Sequence, residues 1–235
     1  MSISLKPILK LLTAGAVVAS LTACGNDGQA RRGTETVKGL VALAASRLSG
    51  KKPAPTAAPD PVAMISSVLA AVPDAPLQFV LMERSGQFAV SSIYGVNGQN
   101  VTWVSPDLKS MTLRSGMLTA TRGFGGDLMS AEDGGAARLI AEVKPGFVTK
   151  TYRFLNGLDE TTRLVVDCRI SVGGTDQVES GEISTAARVV TERCTSGSTF
   201  DVSNTYWIDS QGRMVQSMQW AGASTGNIVF RRLRF

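Results

Sequence analysis

The sequence predicts a mainly β protein: an antiparallel meander closed or half-closed into a barrel, with one or two N-terminal helices. Three observations predict it. From Leu77 onward, about nine or ten short runs alternate apolar and polar residues at strand period. Turn signals separate these runs, among them Val96-Asn97-Gly98, Asp209–Gly212 and Ala223–Asn227. No long helical pattern is interleaved between the runs, which argues against a parallel sheet with crossover helices.

The elements follow in order. Met1–Ala23 has the form of a secretory leader, with Lys6 and Lys10 ahead of the apolar run Leu11–Ala23. That run is too short for a bilayer span, which takes about 20 residues, and suits a signal-peptide core. It ends in Leu21-Thr22-Ala23-Cys24, a bacterial lipobox pattern, so Cys24 is the expected lipidation site and the expected mature N-terminus. Two or more acyl chains anchor a protein stably to a membrane. Gly25, not aspartate, follows the cysteine, which by the enterobacterial sorting rule directs a lipoprotein to the outer membrane, facing the periplasm.

Residues 24–33 form a polar tether, and residues 34–235 are expected to make one β-rich domain. A first helix is predicted over 34–49, N-capped by Thr34, with Val37, Leu40, Val41, Ala44 and Leu48 on one face and Gly50 after its end. A Pro/Ala connector, 51–61, carries Pro53, Pro55, Pro59 and Pro61. Asp60-Pro61 then has the chemistry of a helix start for 61–72, whose stripe is Val62, Ile65, Val68, Leu69 and Val72. Strands are expected at Leu77–Met82 and Phe88–Tyr94, then in the central meander Val101–Leu128. Ser130–Val143 reads as a short helix or loop. Strands resume at Val148–Leu155 and Thr162–Val172, with Gly173-Gly174 as a turn. Gly181–Cys194, Phe200–Ile208, Met214–Trp220 and Ile228–Leu233 complete the set.

Within the meander, Pro106 and Asp107 suit a tight turn, because the proline ring pre-sets φ and the aspartate can bond nearby backbone. Ser115-Gly116 makes the next reversal, and Gly123-Phe124-Gly125-Gly126-Asp127 closes the stretch with glycines that tolerate unusual backbone angles. Trp103, Ser105, Asp107, Leu113 or Met111, Arg114, Gly116, Leu118, Thr121, Gly123, Asp127 and Leu128 fall on a pattern that resembles the GfcB or YjbF family of bacterial envelope lipoproteins. Leu108 stands where that pattern has glycine, which leaves the turn after Asp107 open, and Phe124 stands where it has leucine. The resemblance implies a role in capsule or exopolysaccharide export and carries no established biochemical activity with it.

Composition narrows the chemistry. The chain of 235 residues is 43% apolar and has a net charge of +5, which falls to +3 without the two leader lysines. The basic residues are scattered, apart from Arg231-Arg232-Leu233-Arg234, and form no dense patch of the kind a nucleic-acid surface needs. There is no histidine, so Ser-His-Asp and Cys-His catalysis and every His-containing zinc site are excluded. Three cysteines cannot build an all-cysteine zinc site of four thiolates. No metal, no cofactor and no catalytic residues are expected.

Once Cys24 carries lipid, Cys168 and Cys194 are the two remaining thiols, and an oxidising periplasm favours their pairing as a structural disulfide. The loop Arg122–Asp127 reads either as a polar binding loop for sugar hydroxyls or as a bend in which Arg122 and Asp127 pair locally. Its candidate ligand- or partner-binding residues are Arg122, Gly123, Gly125 and Asp127, with Trp103. The carboxylate pairs Glu132-Asp133 and Asp159-Glu160 lie in expected loops and read as solvated charges. Trp103, Tyr206, Trp207 and Trp220 fall on expected strands, where aromatics are core or sugar-stacking surfaces.

The expected function is that of a lipid-anchored outer-membrane lipoprotein, a non-catalytic accessory factor in capsule or exopolysaccharide assembly or export. Its expected partners are the membrane, through the anchor, and export proteins or the polysaccharide chain; no nucleic acid is expected. Two alternatives belong to other classes. A half-barrel carrier of lipid or lipoprotein needs a large apolar cavity, and a glycan-modifying enzyme needs two carboxylates facing across a cleft.

Overall fold

A computed structural model describes residues 60–155 and 160–235. The leader, Cys24, the tether, the predicted helix 34–49 and most of the Pro/Ala connector lie outside these residues, as does Asp159. The predicted helix over 61–72 is present as α1, Pro61–Ala71. Asp60 caps it, its Oδ1 accepting from the Val62 N–H at 2.9 Å, and Pro61 occupies a first-turn position where no N–H is needed. Val68, with Met64, Ile65, Leu69 and Val72, packs on Leu77, Phe79, Val90 and Leu233. The predicted stripe from Ile65 to Val72 is therefore a docking face on the outside of the sheet, whereas Val62, read into the same stripe, is exposed in the first turn.

Twelve strands follow: β1 (Leu77–Met82), β2 (Phe88–Asn97), β3 (Asn100–Val104), β4 (Ser110–Arg114), β5 (Met117–Arg122), β6 (Leu128–Glu132), β7 (Gly146–Leu155), β8 (Thr161–Ser180), β9 (Ile183–Ser196), β10 (Phe200–Asp209), β11 (Met214–Trp220) and β12 (Asn227–Arg234). A six-residue helix, α2 (Ala136–Ala141), lies between β6 and β7. Every ladder is antiparallel. The sheet runs β5-β4-β3-β2-β1-β12-β11-β10-β9-β8-β7-β6, so β12 returns to pair with β1 and the two sheet edges are the consecutive strands β5 and β6. The result is a nearly closed antiparallel barrel, the architecture the sequence predicts, with a seam between β5 and β6.

Three stretches differ from expectation. Gly173-Gly174 is not a turn: β8 continues through it for 20 residues in all, with a register shift against β9 between Val172 and Thr175. Paired glycines mark a bulge as readily as a reversal, since both need backbone freedom and no side chain. The chain reverses instead at Gly181, whose φ is +61°, so β9 starts at Ile183 and not at Gly181. The segment 130–143, read as helix or loop, divides between the end of β6, a Gly134-Gly135 turn and α2.

The barrel interior is filled. Trp103, Met111, Leu113, Leu118, Leu128, Tyr152, Val166 and Phe230 form one buried cluster that also contains the Cys168 and Cys194 side chains. A second cluster seats α2, with Ala136 and Ile140 against Ile170, Val190, Tyr206 and Ile208.

Candidate functional site

The loop between β5 and β6 fastens the seam. Leu128 N–H donates to Thr121 Oγ1 at 2.9 Å, and that hydroxyl donates to Asp127 Oδ1 at 3.0 Å. The same carboxylate accepts the Gly123 and Phe124 N–H groups at 2.8 and 3.1 Å. Arg122 Nη1 donates to the carbonyls of Thr121 and Leu128, at 2.5 and 3.0 Å. Arg122 and Asp127 do not pair with each other; each satisfies backbone groups of the loop, replacing the ladder that β5 and β6 lack.

Gly123 and Gly125 have φ of +88° and +84°, which their type permits without strain. The close approach is made by Gly126, where a Cβ would lie 1.7 Å from Ser224 Oγ on the β11–β12 loop. Trp103 is fully buried, so it does not share a surface with this loop. The Arg232 guanidinium lies 4.3 Å from the Trp103 ring centre, and burial pulls its pKa down to about 10. Trp103 Nε1 and Gln78 Nε2, the latter on the residue opposite Arg232, are buried without hydrogen-bond acceptors.

The sequence reading missed a polar cluster inside the barrel. Glu192 Oε2 accepts from Lys150 Nζ at 2.9 Å, Asn204 Nδ2 at 2.7 Å and Tyr206 OH at 2.8 Å. Glu192 is fully buried and Lys150 nearly so. Burial alone would lower the Lys150 pKa, but Tyr152 and the Glu192 carboxylate hold it above the usual lysine value. Burial and the adjacent carboxylate push the Tyr206 hydroxyl well above its usual value. Asn204 Oδ1 accepts from the Trp220 N–H at 2.7 Å, tying the cluster to β11. The signal was one of parity: Lys150 stands between Val148 and Tyr152, and Glu192 between Val190 and Cys194, at every second residue of otherwise apolar faces.

Cys168 and Cys194 are direct cross-strand partners and are disulfide-bonded, with Cα atoms 4.0 Å apart. The Glu192 carboxylate lies with the two sulfurs inside 4.8 Å, but sulfurs joined to each other offer no thiolate to a metal. Of the carboxylates considered for glycan chemistry, Glu132 and Asp133 have local duties. Glu132 pairs with Arg153 at 2.7 Å, and Asp133 Oδ2 accepts from the Ala137 N–H at the start of α2. Tyr206 is interior, Trp207 Nε1 donates to Asp176 at 2.9 Å, and Trp220 makes edge contacts with Tyr152, Phe154 and Phe200.

These features define a class: a filled, nearly closed twelve-stranded barrel with a disulfide and an ion pair in its wall and polar loops at its seam. The family model of the group 4 capsule polysaccharide lipoproteins GfcB and YjbF matches residues 42–233, and the chain belongs to that family. Its members are envelope lipoproteins. The fold is similar to that of the lipoprotein YmcC from Escherichia coli, with a TM-score of 0.62 at 16% identity over 77% of this chain and 98% of that one. An exported protein of YmcC-like fold from Bacteroides fragilis aligns at 10% identity over 68% of this chain and 94% of its own, with a TM-score of 0.31. Among curated proteins none matches the chain.

Proposed function

We propose that this protein is a lipid-anchored, non-catalytic accessory factor in capsule or exopolysaccharide assembly or export, held at the outer membrane through Cys24 and facing the periplasm. The family match over residues 42–233 carries the reading. A barrel interior filled by large side chains supports a scaffold over a lipid carrier, because a carrier needs that space for acyl chains. The described carboxylates Glu132 and Asp133 are engaged in an ion pair and a helix start, which supports a binding role over hydrolysis. Deleting the gene is expected to lower surface polysaccharide, and Cys24→Ala to release the domain from membranes and reproduce that loss. Full exopolysaccharide in the deletion strain overturns the accessory role. Cleavage of a glycan by the purified protein overturns the non-catalytic reading, and unchanged membrane fractionation of Cys24→Ala overturns the anchor.

A further inference from the structure

The outer face of β7–β10 carries an ordered polar grid that neither the fold nor the seam requires. Phe147, Arg169, Arg193 and Ser203 stand directly opposite one another on the four strands, in one cross-strand row. The neighbouring row is Thr149, Asp167, Thr195 and Asp201. All of these but Asp201 line a groove of about 950 Å³, within the usual range for ligand sites. A second hollow of about 620 Å³ adjoins it, sharing Ser203 and reaching Trp220.

Three features separate this face from an ordinary solvated sheet. Phe147 is 79% exposed, and its ring lies 5.8 Å from the Arg169 guanidinium. Arg169 and Arg193 are directly opposed, a like-charge pairing that destabilises a sheet. Asp201 neutralises Arg193 through a two-pronged contact, whereas no carboxylate among the described residues lies within ion-pair distance of Arg169. Arg169 is thus a positive group already stacked on an aromatic ring and open to an incoming anion.

We infer that this groove binds a carboxylate-bearing polysaccharide, with Phe147 stacking on a sugar ring and Arg169 gripping the carboxylate of a uronic acid. A guanidinium takes a carboxylate through two parallel hydrogen bonds. Thr149 Oγ1 already donates to Asp167 Oδ1 at 2.8 Å, which leaves the Thr195 and Ser203 hydroxyls as donors and these hydroxyls with the second Asp167 oxygen as acceptors for sugar hydroxyls. Four strands spaced at about 4.8 Å give the Phe147–Ser203 row a span of roughly 14 Å, enough for a short run of sugar rings lying across the strands. The inference rests on the proposed role in polysaccharide export and names the surface that meets the chain.

The test is calorimetric titration of full-length protein in detergent with an oligogalacturonate hexamer and, separately, with neutral dextran oligomers. Binding is expected for the uronate and not for dextran. Arg169→Ala and Phe147→Ala should each weaken it about tenfold or more, Arg169→Lys less than Arg169→Ala, and Arg231→Ala on another part of the outer face should leave it unchanged. Thermal melts of Phe147→Ala, Arg169→Lys and Arg231→Ala should match the parent protein, and Arg169→Ala, which relieves the opposition to Arg193, should melt no lower. Absence of uronate binding, or binding indifferent to both Arg169 and Phe147, overturns the groove; equal binding of dextran overturns the carboxylate assignment. If the groove fails while gene deletion still abolishes surface polysaccharide, the accessory role stands without it. A deletion strain with normal polysaccharide defeats the accessory role whatever the titration gives.

Discussion

The two sides of the barrel are held by different means. On the seam side, β3–β6 are five or six residues long and are fastened by turns whose side chains bond their own backbone. Beyond β6, β7–β10 run 10 to 20 residues and are fastened across the sheet by the Cys168–Cys194 bridge and the Lys150–Glu192 pair. Short strands place their stabilising groups close in sequence, so loss of one side chain should loosen one turn. Long strands bring together residues 26 and 42 apart, so the same loss should be felt through the barrel.

The largest effect is expected at the buried ion pair. Lys150→Met leaves the Glu192 carboxylate buried without its cation, a change that costs about 3–5 kcal/mol in comparable sites. Adding Glu192→Gln removes the second charge and keeps an acceptor for Asn204 and Tyr206, so most of the loss should return. Urea melts of the single and double variants measure this. A single variant as stable as the parent would show that the pair contributes nothing to the long-stranded side.

The disulfide comes next. Replacing Cys168 and Cys194 together by alanine opens a ring of about 27 residues and should cost roughly 3.5 kcal/mol on the loop-entropy model. Mass spectrometry of the unreduced protein should find the two cysteines linked. Because Glu192 sits beside the sulfurs, the disulfide and ion-pair losses should not add. Strict additivity would mean that the two fasteners act independently.

The same contrast explains what the sequence revealed. The meander was legible because its information is local: Ser115-Gly116 forms the β4–β5 turn with φ of +50° and +84°, and Asp60-Pro61 starts α1 as its chemistry dictates. The Arg122–Asp127 stretch was recognisable as a special loop, but its role as a seam was not, because nothing in the residues says that β5 and β6 are the unpaired edges. Lys150 and Glu192 were passed over because a charge on an apolar face acquires meaning only when its partner, two strands away, is known. Gly173-Gly174 was misread because a bulge and a turn ask the same freedom of the backbone. The groove was invisible for a related reason: Phe147, Arg169 and Arg193 become one row only through the registers of β7, β8 and β9.

On the seam side, Asp127→Ala removes the acceptor for two backbone N–H groups and a hydroxyl, a loss of about 1–3 kcal/mol. Amide exchange should rise at Gly123, Phe124 and Leu128 and stay unchanged in β8 and β9. Faster exchange across β8 and β9 as well would break the distinction between local and barrel-wide fastening. The β10–β11 turn, at the end of a long strand, is also fastened by its own backbone and offers a pH test of such local fastening. Burial would raise the Asp209 pKa, but the Arg213 and Gln211 N–H groups and the Arg213 side chain hold it below the ordinary value of 3.8. A carboxyl lowered on folding stabilises the protein above its unfolded pKa, and that contribution is lost as the pH falls through the folded value. Asp209→Asn should therefore lower stability at pH 7 and flatten part of the acid slope below about pH 4, read from melts at several pH values.

The smallest expected change is a gain, at the turn between β3 and β4. Ser105 N–H donates to the Lys109 carbonyl at 2.9 Å, Leu108 N–H donates back to the Ser105 carbonyl at 2.9 Å, and the Ser105 hydroxyl bonds Asp107 and the Lys109 carbonyl. Closing that turn forces Leu108 to φ of +63°, a left-handed conformation that a side chain with a Cβ adopts at a cost of about 1–2 kcal/mol. The Leu108 side chain recovers little in return, since it is 70% exposed. Glycine, which stands here in the pattern this stretch resembles, adopts such a backbone freely. Leu108→Gly relieves the strain and also loosens the unfolded chain, which offsets part of the gain, so the net stabilisation should be near 1 kcal/mol. A denaturant midpoint that rises with an unchanged slope supports the assignment; a fall would mean that Leu108 makes a contact worth more than its strain, and that this turn is held by more than its own backbone.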